Sequence, residues 1–211
     1  MGEIFETCAE RGIPIIEDCA QSWLAADSDG KLVGTQGTIG CFSLNGYKHI
    51  SCGDGGICVT DDPELARNMR LFVDKAYDRT SSIRNPEFFA MNYRITELQA
   101  AIAREQLKKL SSIVSRRQKT AETILERIKD TPGVLLPRIP DNFTHSWWYI
   151  VLRRNPETIE VSADQVADAL IAEGIPAWTG YAGGKPVYLY NCFSAGAANR
   201  PGIPAAHIDK C

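Results

Sequence analysis

Short apolar runs separated by glycines and polar turns dominate the first sixty residues. Residues 3–11 have helical composition, and Gly12 ends that segment before the apolar run 13–16, which predicts a short strand. The runs 39–44 and 56–60 predict two further strands, and both are apolar enough to be buried on two faces. Helix, glycine and buried strand in this order predict an α/β fold.

Longer helical patterns follow these strands. Asp61 and Asp62 supply an N-cap for a helix that begins at Pro63 and runs through about Val73. The polar stretch 74–93 shows little periodicity and is long for a connector, which favours a functional or interface loop. Over 95–128 the apolar residues recur at helical spacing, which predicts one long helix or two in sequence.

The pattern changes after a stop signal at Thr131-Pro132-Gly133. The segments 133–136 and 147–152 predict strands, 162–173 predicts a helix, and 175–178 predicts a short strand. This mixture is typical of a second, smaller α+β unit.

We therefore expect two domains. Residues 1–130 form part of a large α/β domain with a mainly parallel sheet and a long connecting helix, and residues 131–211 form a small α+β domain that is incomplete at its end. A hydrophobic content of 44% is ample for packed cores in both.

Charge narrows the range of partners. The formal net charge of -3 and a pI near 5.7 show no basic excess, so an electrostatic basis for binding nucleic acid or an anionic membrane is missing. The amino-terminal stretch mixes acids and a base, so no signal peptide is expected, and no segment approaches the length of a membrane span. We expect small molecules or protein as partners.

The cysteines and histidines predict neither a metal centre nor a disulfide framework. Seven cysteines form an odd set without CxxC spacing, and His145 and His207 lack metal-ligand spacing. Cys41 and Cys58 lie in apolar runs and are expected to be small buried hydrophobes in a reducing compartment, which predicts a cytoplasmic location. The seven are Cys8, Cys19, Cys41, Cys52, Cys58, Cys192 and Cys211.

Candidate chemistry begins at the sequence IIEDCAQS. Glu17, Asp18 and Gln21 follow the first predicted strand, and open α/β sheets place their ligand sites at the carboxyl ends of strands. The alternative is that an acid at this position only caps a helix.

A hydroxyl and an amine follow the next predicted strand. Ser43 precedes Lys48 by five residues, and a hydroxyl with the backbone amides of a turn suits a phosphate. Lys48 is either a surface charge in a turn or a nucleophile held over a bound anion. The glycines of GDGG, residues 53–56, permit positive φ and close approach, or form a hairpin turn. Neighbouring strand ends would bring these groups around one small anionic cofactor.

Three motifs carry a resemblance to a known family. In this order, IIEDCAQS, GTIGCFSLNGYKHISCGDGGICVT and MNYRITELQAAIAREQLKKL resemble the pyridoxal-phosphate-dependent sugar aminotransferases of the DegT/DnrJ/EryC1/StrS family, which have fold type I of aspartate aminotransferase. The resemblance implies pyridoxal 5'-phosphate as cofactor and a homodimer with shared active sites. It also implies a keto sugar, often nucleotide-linked, or a keto cyclitol as substrate, and glutamate or glutamine as amino donor.

The resemblance also assigns roles to residues. Lys48 matches the lysine that forms the Schiff base with the cofactor, and Asp18 matches the carboxylate that pairs with the pyridine nitrogen. Gln21 matches the residue beside the phenolic oxygen, and Ser43 one that bonds the phosphate. Asn92 is similar to an asparagine that reaches the phosphate of the neighbouring protomer.

Departures from the family pattern add expectations. Family members begin well upstream, with a phosphate cup and an aromatic residue that stacks on the pyridine ring, so we expect this chain to be an internal piece of a longer protein. Trp23 is either a stacking wall for a sugar or a core aromatic residue. His49 follows Lys48, and in extended structure adjacent side chains point in opposite directions.

Two alternatives to transamination stay open. In the deoxysugar 3-dehydrases of the same family a histidine replaces the Schiff-base lysine, so Lys48 favours transamination. The second alternative is a truncated homologue that retains the dimerising surface without catalysis.

Overall fold

The computed structural model describes residues 2–82 and 85–190 of the chain. These residues divide into two compact units. The first comprises residues up to Thr131 together with Leu136–Arg153, and the second comprises Pro132–Leu135 and continues from Arg154. The segment 136–153 therefore belongs to the first unit, although it follows the domain boundary expected near residue 131. The division into a large and a small domain stays a prediction.

A three-stranded sheet forms the centre of the first unit. Helix α1 (Gly2–Glu10) precedes strand β1 (Ile16–Asp18), and β2 (Ile39–Ser43) and β3 (Gly56–Val59) follow. β1 pairs with β2 in parallel, and β2 pairs with β3 in antiparallel. The expected α/β class is confirmed, although only one of these two pairings is parallel.

Strand β1 begins later than the sequence predicted. Ile13–Ile15 precede the strand, and Ile15 instead bonds the start of the next one: its carbonyl accepts from the backbone N–H groups of Thr38 and Ile39, at 2.8 and 3.3 Å. The apolar run therefore ends where the strand begins, and Glu17 lies inside β1 instead of after it. Because successive strand residues face opposite sides, this shift separates the two acids of IIEDCAQS.

The prediction that the strands are buried on two faces is wrong. Ile16 is 66% exposed and Val59 is 38% exposed. Phe42 packs against the hydrophobic core, whereas the opposite face carries Cys41, which is partly exposed, and Cys58, which is exposed. The expectation that these two cysteines are buried is therefore wrong as well, because within the described residues the core covers one face of the sheet.

The core joins the loop after β2 to a helix further along the chain. Leu44 and Ile50 are each 1% exposed and pack with Leu110 and Val114. Trp23 belongs to the same cluster, which identifies it as a core aromatic residue and not as a wall exposed to a sugar. Full burial of one leucine or isoleucine side chain stabilises a fold by about 1.5–3 kcal/mol.

Three helices follow the sheet. Helix α2 (Pro63–Val73) begins as predicted, with Asp62 Oδ1 accepting from two backbone N–H groups of the first turn. The pattern over 95–128 forms two helices, α3 (Glu97–Leu107) and α4 (Leu110–Ile128). A capping box at Thr96 fixes the start of α3.

The second unit is small. It contains β4 (Val134–Leu135), which pairs with β5 (Arg153–Arg154) at the boundary of the units, and α5 (Ala163–Ala172). Short 3-10 helices cover Tyr181–Gly184 and Val187–Leu189. Helix α5 confirms the helix predicted over 162–173.

Two predicted strands are wrong. Trp147 has a left-handed φ of 52°, and the carbonyls of Trp147 and Trp148 accept from the side chain of Arg117, so residues 147–152 do not form a β-ladder. The segment 175–178 also lacks strand structure. In both cases the prediction rested on an apolar run, and such a run does not distinguish a paired strand from another buried or extended segment.

Two further expectations concern membrane-spanning helices and metal-binding clusters. Within the described ranges, no helix is long and apolar enough to cross a membrane. The same residues contain no group of three or more His, Cys, Asp and Glu side chains placed to hold a metal ion. Cys192, Cys211 and His207 lie outside the described residues.

Candidate active site

The two adjacent acids of β1 have different environments. Glu17 is buried, and its carboxylate accepts three backbone N–H bonds: Gly34 at 2.7 Å, Gln36 at 2.8 Å and Gly37 at 2.6 Å. These bonds hold the chain that leads into β2. Asp18 is exposed on the opposite face. Glu17 therefore has a structural role, although it caps no helix, and a ligand role for Asp18 stays a prediction.

Asp18 shares a face of the sheet with Ser43. Asp18 lies opposite Cys41 in the parallel register, and Cys41 and Ser43 face the same side because they are two residues apart. Strands are about 4.8 Å apart and rise about 3.3 Å per residue, so the Cα atoms of Asp18 and Ser43 are about 8–9 Å apart. The Asp18 carboxylate also accepts the backbone N–H of Ala20 at 3.1 Å.

Ser43 ends β2 in a fixed position. Its carbonyl accepts the indole N–H of Trp23 at 3.0 Å, which ties the strand end to the core. Its Oγ accepts the backbone N–H of Asn45 at 3.3 Å. Since the hydroxyl proton is not used in that bond, it can be donated to an anion.

The loop that carries Lys48 is closed at its base. Leu44 N donates to Gly55 O at 2.9 Å, and Leu44 O accepts from Cys52 N at 3.1 Å. Gly53 has φ of 92°, a left-handed conformation that explains one glycine of the GDGG run. With Leu44 and Ile50 buried in the core, the loop is anchored and not a free surface turn.

Lys48 lies half-buried at the turn within this loop. Its N–H donates to Asn45 O at 3.0 Å, and its Nζ lies 4.2 Å from the centre of the Trp148 ring. Trp148 is itself fixed, since its indole N–H donates to Tyr47 O at 2.6 Å. Such a cation–π contact holds an ammonium group with about 0.5–2 kcal/mol. Sequence reasoning missed Trp148, because nothing in the chain pattern connects it to a turn one hundred residues earlier.

His49 is a buried neighbour of Lys48. It is 4% exposed, and its Nε2 is 2.9 Å from Ser146 O, so Nε2 carries the proton that a carbonyl can accept. Its Nδ1 is buried and has no hydrogen-bond partner in the structure. Burial lowers the pKa of His49, and the positive charge of Arg117 lowers it further. The ring is therefore neutral near pH 7 and packs inside the fold.

The remaining predicted residues lie apart from these strand ends or at the surface. Gln21 is exposed in the turn after β1. Asn92 is exposed in the segment before α3, where its Oδ1 accepts from the side chain of Arg94 at 3.0 Å. The structure therefore places Asp18 and Ser43 on one face at the carboxyl ends of β1 and β2, with Lys48 in the loop that follows Ser43. Asn92 lies outside that group.

Asn92 is held by the backbone of Asp74 and by the side chain of Arg94. Asp74, directly after α2, forms an isolated backbone bridge with Asn92 and accepts two hydrogen bonds from Arg79, at 2.6 and 3.0 Å. Arg94 lies 3.2 Å from the same carboxylate. The hydrogen bonds of Arg79 are the main cause of the lowered pKa of Asp74. These bonds tie the two ends of the predicted polar loop together in the part of it that the structure describes.

The donor set at the strand ends fits pyridoxal phosphate chemically. A carboxylate suits a protonated ring nitrogen, a hydroxyl suits a phosphate oxygen, and an amine suits an aldehyde. Asp18 is exposed on its face, the Ser43 hydroxyl has a proton to donate, and Lys48 is held by its loop. All three are supplied by adjacent elements of one unit.

Comparison with known proteins gives a consistent result. A model of the DegT/DnrJ/EryC1/StrS aminotransferase family matches residues 1–207. Among solved structures, DesV of S. venezuelae, in complex with a ketimine intermediate, is 30% identical, with a TM-score of 0.80 over 99% of this chain and 52% of that one. The aminotransferase TlmJ from Streptoalloteichus hindustanus is 28% identical, with a TM-score of 0.74 over 90% of this chain and 50% of that one.

A dehydratase is also similar. The E. coli GDP-4-keto-6-deoxy-D-mannose-3-dehydratase, solved with bound hydrated pyridoxal phosphate, is 28% identical, with a TM-score of 0.73 over 82% of this chain and 48% of that one. The chain spans about half the length of these solved structures.

Proposed function

The chain belongs to the DegT/DnrJ/EryC1/StrS aminotransferase family, whose members depend on pyridoxal phosphate, and on that premise we propose that it carries the lysine-bearing part of an aminotransferase site. The reaction moves an amino group from glutamate or glutamine to a keto sugar, commonly nucleotide-linked, or to a keto cyclitol. The observation that supports this most directly is that Asp18 and Ser43 lie on one face at the carboxyl ends of two parallel strands, with Lys48 in the anchored loop that follows Ser43.

Each residue has a separate role in the proposal. When bound, pyridoxal phosphate supplies an electron sink for the carbanion formed beside the amino nitrogen. Asp18 would hold the ring nitrogen, Gln21 would face the phenolic oxygen, and the hydroxyl of Ser43 would donate to the phosphate. Lys48 Nζ would bind the cofactor aldehyde and would serve as the base that moves a proton at the substrate.

The anchored loop supports the role of Lys48. A nucleophile must be held close to its target, because a misplaced reacting group lowers the rate by orders of magnitude. The backbone bonds of Leu44 close the loop at its base, and the Trp148 ring contacts the amine. A surface lysine in a mobile turn would lack both constraints.

A shared active site is part of the same proposal. Asn92 would contribute to the phosphate site of a second protomer, which accounts for its place outside the group at the strand ends. An apolar surface around it supports an interface: Phe89, Met91 and Leu98 are 105%, 66% and 79% exposed. The proposed assembly is a homodimer.

A dehydratase of the same family is the second candidate. The similarity to the E. coli dehydratase favours it, and the presence of Lys48 opposes it. The two reactions differ in their products, since transamination keeps every hydroxyl of the sugar and dehydration removes one. Mass spectrometry of the sugar product distinguishes them.

Cofactor attachment tests the proposal. The purified chain is incubated with pyridoxal phosphate and reduced with borohydride, and the modified lysine is mapped by peptide mass spectrometry. We expect selective labelling of Lys48, because it lies in the anchored loop that follows Ser43 and its amine is held at the Trp148 ring. Modification also blocks tryptic cleavage after Lys48, which joins two peptides into one.

Matched variants make the test specific. Lys48→Arg should abolish the label and Asp18→Ala should reduce it at least tenfold, whereas Lys31→Arg, at an exposed position, should leave it unchanged. Labelling scattered over surface lysines would contradict the proposed site in this chain and favour the non-catalytic alternative.

A further inference from the structure

Two cysteines of the exposed sheet face lie opposite each other. Cys41 of β2 and Cys58 of β3 are register partners in the antiparallel pairing, and their Sγ atoms are 3.8 Å apart. Cys58 is exposed and Cys41 is partly exposed, so small reagents can reach the pair. No motif or spacing in the sequence predicted this contact, because the two positions are 17 residues apart along the chain.

The backbone hydrogen bonds define the type of pair. Leu44 N donates to Gly55 O, which makes residues 44 and 55 a hydrogen-bonded pair. Hydrogen-bonded and non-hydrogen-bonded pairs alternate along an antiparallel ladder. Counting back three positions, Cys41 and Cys58 form a non-hydrogen-bonded pair.

This type of pair fits a disulfide. Residues in non-hydrogen-bonded pairs have Cα atoms about 4.5 Å apart, and disulfides need about 4.4–6.8 Å. The sulfur atoms must approach from 3.8 Å to about 2.05 Å, which small side-chain rotations achieve without a shift of the strands.

We propose that Cys41 and Cys58 are a modification site that closes to an intrachain disulfide when a small-molecule disulfide such as oxidised glutathione is present. The inference rests on the strand register and not on the proposed function. The closed loop contains Lys48 and the GDGG run, so the crosslink would join the two strands that flank the proposed site.

The exchange proceeds in two balanced steps. The Cys58 thiolate attacks oxidised glutathione, and one glutathione thiolate leaves. Cys41 then gives up its proton and attacks the Cys58 sulfur, which breaks the mixed disulfide and releases the second glutathione. Two protein thiols are oxidised, and one glutathione disulfide is reduced to two thiols.

Burial makes the second step depend on pH. Desolvation, followed by the neighbouring Cys58 thiol, raises the pKa of Cys41 to about 11. The thiolate of Cys41 is therefore scarce at neutral pH, and closure should accelerate as the pH rises.

Peptide mapping tests the proposal. The full chain is treated with oxidised glutathione at mildly alkaline pH, alkylated without reduction and digested with trypsin. Cleavage after Lys31, Lys48 and Arg67 places Cys41 and Cys58 in separate peptides. We expect these two peptides to be joined, and dithiothreitol to separate them.

Variants assign the bond. The peptide with Cys58 also contains the buried Cys52, so the experiment is repeated with Cys52→Ser, which leaves Cys58 as its only cysteine. Cys41→Ser should stop the reaction at glutathione on Cys58. Glutathione retained on Cys58 of the unmodified sequence, or a bond to another cysteine in its place, would overturn the proposal.

Discussion

Two adjacent acids of strand β1, Glu17 and Asp18, lie on opposite faces of the sheet and have different surroundings. Glu17 bonds three backbone N–H groups inside the fold, and Asp18 stands exposed beside Ser43 on the other face. The sequence predicted a site from the pair, and it could not separate their roles, because that separation depends on where β1 begins.

The first prediction at the residue scale concerns this division. Glu17→Ala leaves three backbone donors without an acceptor, and bonds to a charged group are worth about 1.5–3 kcal/mol each. Because such losses are not additive, we expect the free energy of unfolding to fall by about 3 kcal/mol. Urea unfolding measures it.

Asp18→Ala is the matched control. It should change the free energy of unfolding by no more than about 0.5 kcal/mol, as is usual for an exposed position, while it lowers cofactor labelling at Lys48. Equal losses of stability in the two variants would contradict the separation of roles.

The second prediction concerns His49. Burial lowers its folded-state pKa below its ordinary value of about 6.5, so the unfolded chain binds the proton more strongly. The stability contributed by neutral His49 is therefore complete above about pH 6.5 and is lost as the pH falls toward the folded pKa. The slope of the free energy of unfolding is at most about 1.4 kcal/mol per pH unit for one proton.

Urea unfolding across this pH range, with His49→Gln as comparison, measures the effect. Arg117, Lys48 and His145, the charged and titratable groups that affect His49, remain in both chains. Burial also lowers the pKa of His145, so only the difference between the two slopes reports His49. Identical slopes would show that His49 does not titrate differently on folding.

At the scale of elements, the sequence predicted those helix and strand boundaries that depend on residues within one or two turns of the chain. Helix α2 begins at Pro63 with Asp62 as its cap, because both effects act within one turn. The strands at 39–43 and 56–59 were also predicted closely. The strand predicted over 147–152 was wrong, because the side chain of Arg117, 30 residues away, takes carbonyls that a ladder would need.

For the loop between β2 and β3, the sequence predicted the residue types but not their long-range contacts. Its glycines and its lysine were visible in the sequence, and the left-handed Gly53 agrees with the expected use of glycine. The contact of Lys48 with Trp148 and the burial of His49 depend on a segment that follows α4. Long-range packing of this kind leaves no periodic signal in a single sequence.

At the scale of the whole molecule, the exposed apolar surface predicts association. Phe89, Met91, Tyr93 and Leu98 are exposed around Asn92, and Leu98 alone is 79% exposed. We expect the chain to sediment as a dimer, and Leu98→Glu to shift it to the monomer by placing a charge in the interface. Sedimentation velocity over a range of protein concentrations measures this.

Val161→Glu, at an exposed position in the second unit, is the control and should leave the sedimentation coefficient unchanged. A monomer at every concentration would contradict the interface. Asn92 would then lack the second protomer to which it is proposed to contribute.

The contact between Lys48 and Trp148 gives the chain its own optical reporter. An indole 4.2 Å from the amine that is proposed to take the cofactor lies well within the range at which a bound chromophore quenches tryptophan emission. Three other tryptophans also emit: Trp23 in the core, Trp147 beside Trp148, and Trp178, which is 54% exposed. A chain in which Trp148 is the one remaining indole would report each arrival and departure at Lys48 in real time, without any added dye.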